Sequence, residues 1–233
     1  MMGRGARKKS ALAADSDAAQ FPGFTFSQDL VSLAWPDSLQ AESFRALRSN
    51  VLAQHVKHGR RALAICAPAA GSGCSFIAAN LAVTMAQAGV NTLLVDGNMR
   101  TPSIQDYIVP LEPLPGLADC LADDALPLSK AFAIVQSNLS VLYAGHVDAA
   151  TFDQLGAPVF RQLMDQCLRD FDLTIIDTPP SNQFADSRRI ASVMRYAMVV
   201  TCRQRSFVND VQVLLDEIAA DGGRVIGTYL NDY

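Results

Sequence analysis

The chain has 233 residues, half of them apolar, and a formal net charge of −4. That length and apolar content fit one globular domain with a sizeable core, and the mildly acidic balance gives no reason to expect a nucleic-acid partner. Five cysteines (Cys66, Cys74, Cys120, Cys167, Cys202) are scattered without CxxC spacing, which argues against a disulfide framework or a zinc site and for free thiols in a reducing, cytoplasmic compartment. His55 and His58 have helical i, i+3 spacing, but no cysteine or carboxylate nearby completes a metal set. No apolar run reaches the roughly 20 residues of a membrane helix, so membrane contact is expected to be peripheral or through a partner.

In chain order, residues 1–36 are rich in Gly, Ala, Ser, Asp and Pro without sustained periodicity, which predicts a mobile arm. Its basic start, Arg4, Arg7, Lys8 and Lys9, reads as a solvated tail or as a weak attraction to anionic lipid. A single domain is then expected over residues 37–233. Asp37 or Ser38 caps a helix on which Phe44, Leu47 and Val51 share one face. Strands are predicted at 62–66, 92–95, 139–142, 173–176, 197–201 and 225–230, and helices at 75–88, 159–168, 186–194 and 209–220. A looser, proline-containing region separates the second and third of these strands. This alternation predicts an α/β fold with a parallel sheet covered by helices on both faces, binding ligands beyond the carboxyl ends of the strands.

Where the first sheet strand ends, the sequence reads Ala67-Pro68-Ala69-Ala70-Gly71-Ser72-Gly73-Cys74-Ser75. A phosphate cradle needs glycines so that several backbone N–H groups converge on one anion, and a following helix whose N-terminal dipole favours negative charge. Residues 71–76 (Gly71, Ser72, Gly73, Cys74, Ser75 and Phe76) are therefore the nucleotide-binding candidates. The usual pattern places lysine before the Ser or Thr, and here Cys74 stands in that position. Asp96 closes the second strand and Asp177 the third. With the Ser75 hydroxyl, these strand-tip carboxylates form the oxygen set that Mg²⁺ requires beside a triphosphate.

Together these motifs resemble the cytoplasmic domain of bacterial tyrosine kinases that work with polysaccharide co-polymerases, members of the deviant-Walker P-loop NTPases. The resemblance runs from about Asp37 to Asn231. Glu42-Ser43-Phe44-Arg45-Ala46-Leu47-Arg48 is similar to the family's E-x-x-R-x-x-R motif, which implies that Glu42, Arg45 and Arg48 drive assembly into a homo-oligomer. By spacing alone, the same three residues form a strip about 120° wide that fits ordinary intrahelical pairing as well. Ala78 to Ala82 resembles the segment after the loop. Asp96 to Arg100 resembles the second Walker-type motif, making Asp96 the candidate catalytic carboxylate. Leu173 to Pro180 resembles Walker B, and Gly227 and Asn231 the closing strand.

Three departures stand out: Cys74 for lysine, Asn98 for the second acid of the Asp96 motif, and only Tyr229 and Tyr233 where the family carries a tyrosine-rich tail. Loss of a charged hydrogen bond weakens ATP or ADP binding by roughly ten- to a hundredfold, and loss of a preorganised donor slows reaction by about 10²–10³. Asn98 removes negative charge beside the metal position, which argues against tight Mg²⁺ binding. A neutral Cys74 thiol brings no positive charge, whereas a helix N-terminus favours a thiolate that repels phosphate. Arg100, or Arg45 or Arg48 of a neighbouring subunit, are the candidate replacement cations.

The resemblance implies a cytoplasmic regulator of exopolysaccharide or capsule export, held at the inner membrane by a co-polymerase, with impaired ATPase or kinase activity. The alternatives are an active, divergent ATPase or tyrosine autokinase of that pathway, or a partitioning or cell-division ATPase. The Glu42–Arg48 motif argues against the last.

Overall fold

The computed structural model of the protein describes residues 23–122 and 126–232. The basic start of the arm and Tyr233 lie outside the described residues. Among the described residues, seven strands form one sheet in the order β5-β6-β3-β7-β2-β8-β9. They are β2 (Ala62–Cys66), β3 (Thr92–Asp96), β5 (Ala133–Gln136), β6 (Leu139–Leu142), β7 (Leu173–Asp177), β8 (Tyr196–Cys202) and β9 (Arg224–Asn231). All pairings in it are parallel except β5 with β6.

Strands β2, β3 and β7 have no exposed residue, because helices cover both faces of the sheet. One face is packed by α1 (Val31–Ala34), α2 (Leu39–Gln54) and α3 (Cys74–Gln87), whose core includes Leu30, Phe44, Leu81 and Ile175. The other is packed mainly by α7 (Pro158–Asp170), α8 (Asp186–Met194) and α9 (Val208–Ala220) around Phe160, Met164, Ile176 and Ile190. Short helices α4 (Leu117–Leu121), α5 (Leu128–Ala131) and α6 (Thr151–Gln154) complete that side. The predicted parallel α/β fold is present; the antiparallel edge strand β5 is additional.

Regular structure begins earlier than residue 37. Strand β1 (Phe24–Phe26) pairs antiparallel with β4 (Ile108–Pro110), which lies in the proline-containing region. Helix α1 follows, and Leu30 and Val31 are buried. The reason for this order is the side chain of Asn80, fully buried on α3. Its Oδ1 accepts the Val31 N–H at 2.9 Å, and its Nδ2 donates to the Asp29 carbonyl at 2.9 Å. Two elements of three and four residues carry too few side chains for a periodic signal, so composition alone makes residues 24–35 look like part of an arm.

Strand ends and loop ends bring the functional residues together. Parallel register sets Asp96 directly beside Asp177, and Ile65 on the other side of Asp177. The loop after β2 therefore opens above two adjacent carboxylates at the carboxyl edge of the sheet.

Asn80→Ala leaves a buried N–H and a carbonyl without partners, at a cost of about 1–3 kcal/mol. In a domain of this size each kcal/mol lowers the melting temperature by about 2–4 °C. Calorimetric melting should show a drop of that order, and an unchanged melting temperature would mean that the Asn80 clamp does not hold the N-terminal segment.

Candidate functional site

The loop after β2 is a nest of left-handed backbone held by its own contacts. Gly71 (φ +75°) and Gly73 (φ +88°) supply the left-handed conformations. The Ser72 hydroxyl donates to the Ala69 carbonyl at 2.8 Å, and the Asn231 amide, from the end of β9, donates to the Ser72 carbonyl at 3.2 Å. A Cβ at position 73 would sit 2.3 Å from that amide nitrogen, so a side chain there would push the Asn231 amide off the Ser72 carbonyl. Helix α3 starts at Cys74, and its first N–H groups face the loop. This is the backbone form of an anion cradle, glycines in left-handed conformation leading into a helix N-terminus.

Cys74 does not contribute charge to the cradle. Its Sγ turns inward and lies 3.1 Å from the Ile65 carbonyl, an acceptor shared with the Thr178 hydroxyl at 2.8 Å. Burial, then the Asp177 carboxylate, push its thiol well above the usual cysteine range. The helix N-terminus therefore does not yield a thiolate: desolvation and a nearby like charge outweigh the dipole. Loop residues 69–76 line a cavity of about 390 Å³ with Asn98, Ser103, Asp106, Tyr107 and Gln183 among its other walls. Among the described residues that line it, none is Lys or Arg.

Beneath the cradle the Ser75 hydroxyl donates to Asp177 Oδ2 at 2.5 Å, and the Ser103 hydroxyl reaches Ser75 Oγ at 2.7 Å. Asp96 Oδ2 accepts the backbone N–H groups of Ser103 and Ile104, each at 3.0 Å, and Oδ1 accepts that of Asn98 at 3.2 Å. Asp96 and Asp177 are 1% and 0% exposed, so both carboxylates are removed from water next to each other. Burial raises both above the ordinary carboxylate range. For Asp177 the next cause is the charge of Asp96; for Asp96 the three N–H donors partly oppose the rise. Asp177 Oδ1 is buried with no hydrogen-bond partner. A hard divalent cation fits this set of hydroxyl and carboxylate oxygens, because it would satisfy the orphaned oxygen and offset the paired charge. Asp96 holds the 97–104 loop through these three N–H groups and, like Asp177, lies beneath the residues that line the cavity.

The other expected residues fall in three places. Phe76 lines the cavity and packs edge-on against Phe44, with ring centroids 5.6 Å apart. Arg100 is no substitute for lysine. Its Nε bonds Asp186 at 2.8 Å, and its guanidinium lies 3.6 Å from the centre of the Phe152 ring and 4.9 Å from that of Phe184. Glu42, Arg45 and Arg48 lie on α2, away from the cavity walls. Arg45 bonds Glu42 and the Pro36 carbonyl within its own chain, so the intrahelical pairing read from spacing is present.

Two residues near the loop were not among the site candidates read from sequence. Ser103 gives a hydroxyl to Ser75 and an N–H to Asp96, but a serine after a proline carries no signal of that role. Arg205, in the turn after β8, places Nη1 2.9 Å from where a Cβ on Gly71 would be, and only the sheet order brings those positions together.

No family model matches the chain. Comparison with individual proteins is informative. It is 31% identical over 196 residues to the putative tyrosine-protein kinase CapB of Staphylococcus aureus, covering 84% of this chain and 86% of that protein. Among solved structures it is similar to the chimerical protein CapA2B2, with a TM-score of 0.78, 27% identity, and coverage of 94% of this chain and 98% of the other. The septum site-determining protein MinD from Pyrococcus horikoshii, complexed with Mg-ADP, shares the fold at a TM-score of 0.64 and 23% identity, covering 74% of this chain and 70% of that one. A match of the extent seen with CapB, on a P-loop NTPase-like fold, makes this chain a member of the bacterial tyrosine-protein kinase family.

Proposed function

We propose that this protein is a cytoplasmic partner in exopolysaccharide or capsule production, a kinase-family domain that keeps a nucleotide-binding scaffold but has lost or slowed phosphoryl transfer. One observation carries the second half of that reading: the cavity at the loop has no Lys or Arg among its described lining residues, and the residue in the lysine position turns its side chain away. The polysaccharide setting rests on the resemblance to kinases that serve co-polymerases. Docking to such a membrane protein accounts for peripheral localisation. No helix among the described residues is long and apolar enough to cross a membrane.

Within this reading the backbone N–H groups of residues 71–75 and the start of α3 hold a nucleoside diphosphate unit. Ser75 and Asp177, with Asp96 behind them, hold Mg²⁺ next to it. Bound Mg²⁺ would neutralise phosphate charge. The protein's own part is to orient the nucleotide through the loop, keep water from the two carboxylates, and fix the Ser75 hydroxyl. Among the described residues, no Lys or Arg lines the cavity above Ser75, and phosphoryl transfer is the step most sensitive to a missing donor. Exposed Glu42 and half-buried Arg48 on α2 serve contact between copies of the chain.

Calorimetry on the purified chain should show ATP and ADP binding without measurable tyrosine autophosphorylation or brisk Mg²⁺-dependent hydrolysis. Cys74→Lys should tighten ATP by about ten- to a hundredfold. Brisk turnover in the unmodified chain would establish the active-kinase alternative instead. Asp177→Asn removes one of two adjacent buried carboxylates. Without metal its melting temperature should rise by about 2–4 °C per kcal/mol relieved, and Mg²⁺ should no longer tighten ADP binding; a Mg²⁺ effect that survived would place the metal elsewhere. Glu42→Ala combined with Arg48→Ala should shift sedimentation toward monomer, and a chain that is monomeric before substitution would remove self-assembly from the proposal.

A further inference from the structure

We propose that Arg205 is the cation of the nucleotide site, supplying to the diphosphate part of the ligand the charge that residue 74 does not. The inference rests on the nucleotide-binding reading and specifies which side chain makes it work. Arg205 belongs to a tight turn at the carboxyl end of β8. The turn is pinned by the Ser206 N–H and the Arg205 N–H, which both donate to the Cys202 carbonyl (2.9 and 3.2 Å), and by the Cys202 N–H, which donates to Ser206 Oγ at 2.9 Å. Gln204 takes a left-handed conformation at φ +63° to close it. The base of the Arg205 side chain is therefore fixed.

The guanidinium lies on the loop itself. Its Nη1 would be 2.9 Å from a Cβ on Gly71, so a side chain there would displace the end of Arg205. Gly71 thus has two requirements at once, a left-handed backbone and room for a cation over its Cα. Two cavities meet at the loop, of about 390 and 420 Å³, and both are bordered by Gly71, Gly73, Phe76 and Tyr107. Across both sets of described lining residues, Arg205 is the one Lys or Arg. It forms no salt bridge with any described carboxylate, whereas its neighbour Arg203 is paired with Asp232 at 3.1 Å. An arginine held over a nest of N–H groups, with its charge uncompensated, matches the planar, two-pronged recognition that phosphate favours.

The surrounding charge then has a direction. Arg205 and the Asn231 amide frame the loop from the ends of β8 and β9, with Asp29 on another wall of the Arg205 cavity, while Asp96 and Asp177 end β3 and β7 on the other side of β2 and Asp106 lines the second cavity. Positive charge is available where the loop holds the first phosphates and absent where a terminal phosphate would extend. An arginine in this place supports retention of a nucleotide without supporting transfer from it.

The test is calorimetry of the full chain with adenosine, AMP and ADP, in the unmodified protein and in Arg205→Ala, Arg205→Lys and Arg203→Ala. Arg205→Ala should weaken ADP about tenfold or more. It should leave adenosine affinity and the ligand-free melting temperature unchanged and reduce the salt dependence of ADP binding. Arg205→Lys should recover part of the loss, Arg203→Ala should bind as the unmodified chain does, and Cys74→Lys added to Arg205→Ala should restore ADP affinity. If the unmodified chain binds ADP and Arg205→Ala binds it equally well, the role of Arg205 is refuted while the nucleotide-binding reading stands. If the unmodified chain binds no ADP, the reading itself fails and the inference with it.

Discussion

Two aspartates end on adjacent parallel strands, Asp96 on β3 and Asp177 on β7, side by side in register and both out of water. Like charges so placed in a medium of low polarizability repel strongly, and each also loses its hydration. The surrounding architecture is arranged to manage this. Three backbone N–H groups from the 97–104 loop converge on Asp96, which fixes the course of that loop and with it the position of Ser103. Ser103 and Ser75 then form a short relay of hydroxyls ending on Asp177. Because one Asp177 oxygen still lacks a partner, the arrangement is complete only with a proton or a cation added. The loop, the start of α3 and the wall of the cavity all take their places from this pair.

That constraint also explains the state of Cys74. A thiol at the first position of a helix ordinarily gains acidity from the dipole. Here Asp177 stands close behind it and burial removes water, so the thiol stays protonated and bonds the end of β2. A neutral, inward-facing side chain is compatible with two buried acids below it. The absence of lysine is therefore accommodated structurally even though it leaves the cradle without its own charge.

Much of the fold was legible because burial on both faces writes strands β2, β3 and β7 as runs rich in apolar residues, and because α8 shows its period over nine residues. The aspartates were legible for the related reason that a charged residue ending such a run marks the carboxyl edge of the sheet. Other elements were hidden by physics of a different kind. Strand β1, with three residues, and helix α1, with four, gain their order from Asn80 and from β4, contacts that span 49 to 86 positions in sequence and leave no local pattern. Strand β5 packs antiparallel at the sheet edge with Ile134 exposed, so its short apolar run, Ala133 to Val135, does not carry the buried alternation of a central strand. The nearness of Arg205 to the loop was not legible because it comes from β8 lying next to β2, a neighbour relation set by topology. Arg100 showed the converse: its position in a motif suggested a ligand, while an acid and two aromatic rings had already engaged it.

The early onset of order has a practical side for anyone cutting this chain into fragments. Helical periodicity invites a start at residue 37. Yet Gln28, Asp29, Val31 and Trp35 form one side of the cavity that Arg205 overlooks, and Phe24 to Phe26 are the partners of β4. A fragment begun at 37 would expose Phe76 and Tyr107 and free the edge of β4, and inactivity measured on it would report a missing wall rather than missing chemistry. The shortest piece that keeps the pocket whole starts ahead of Phe24.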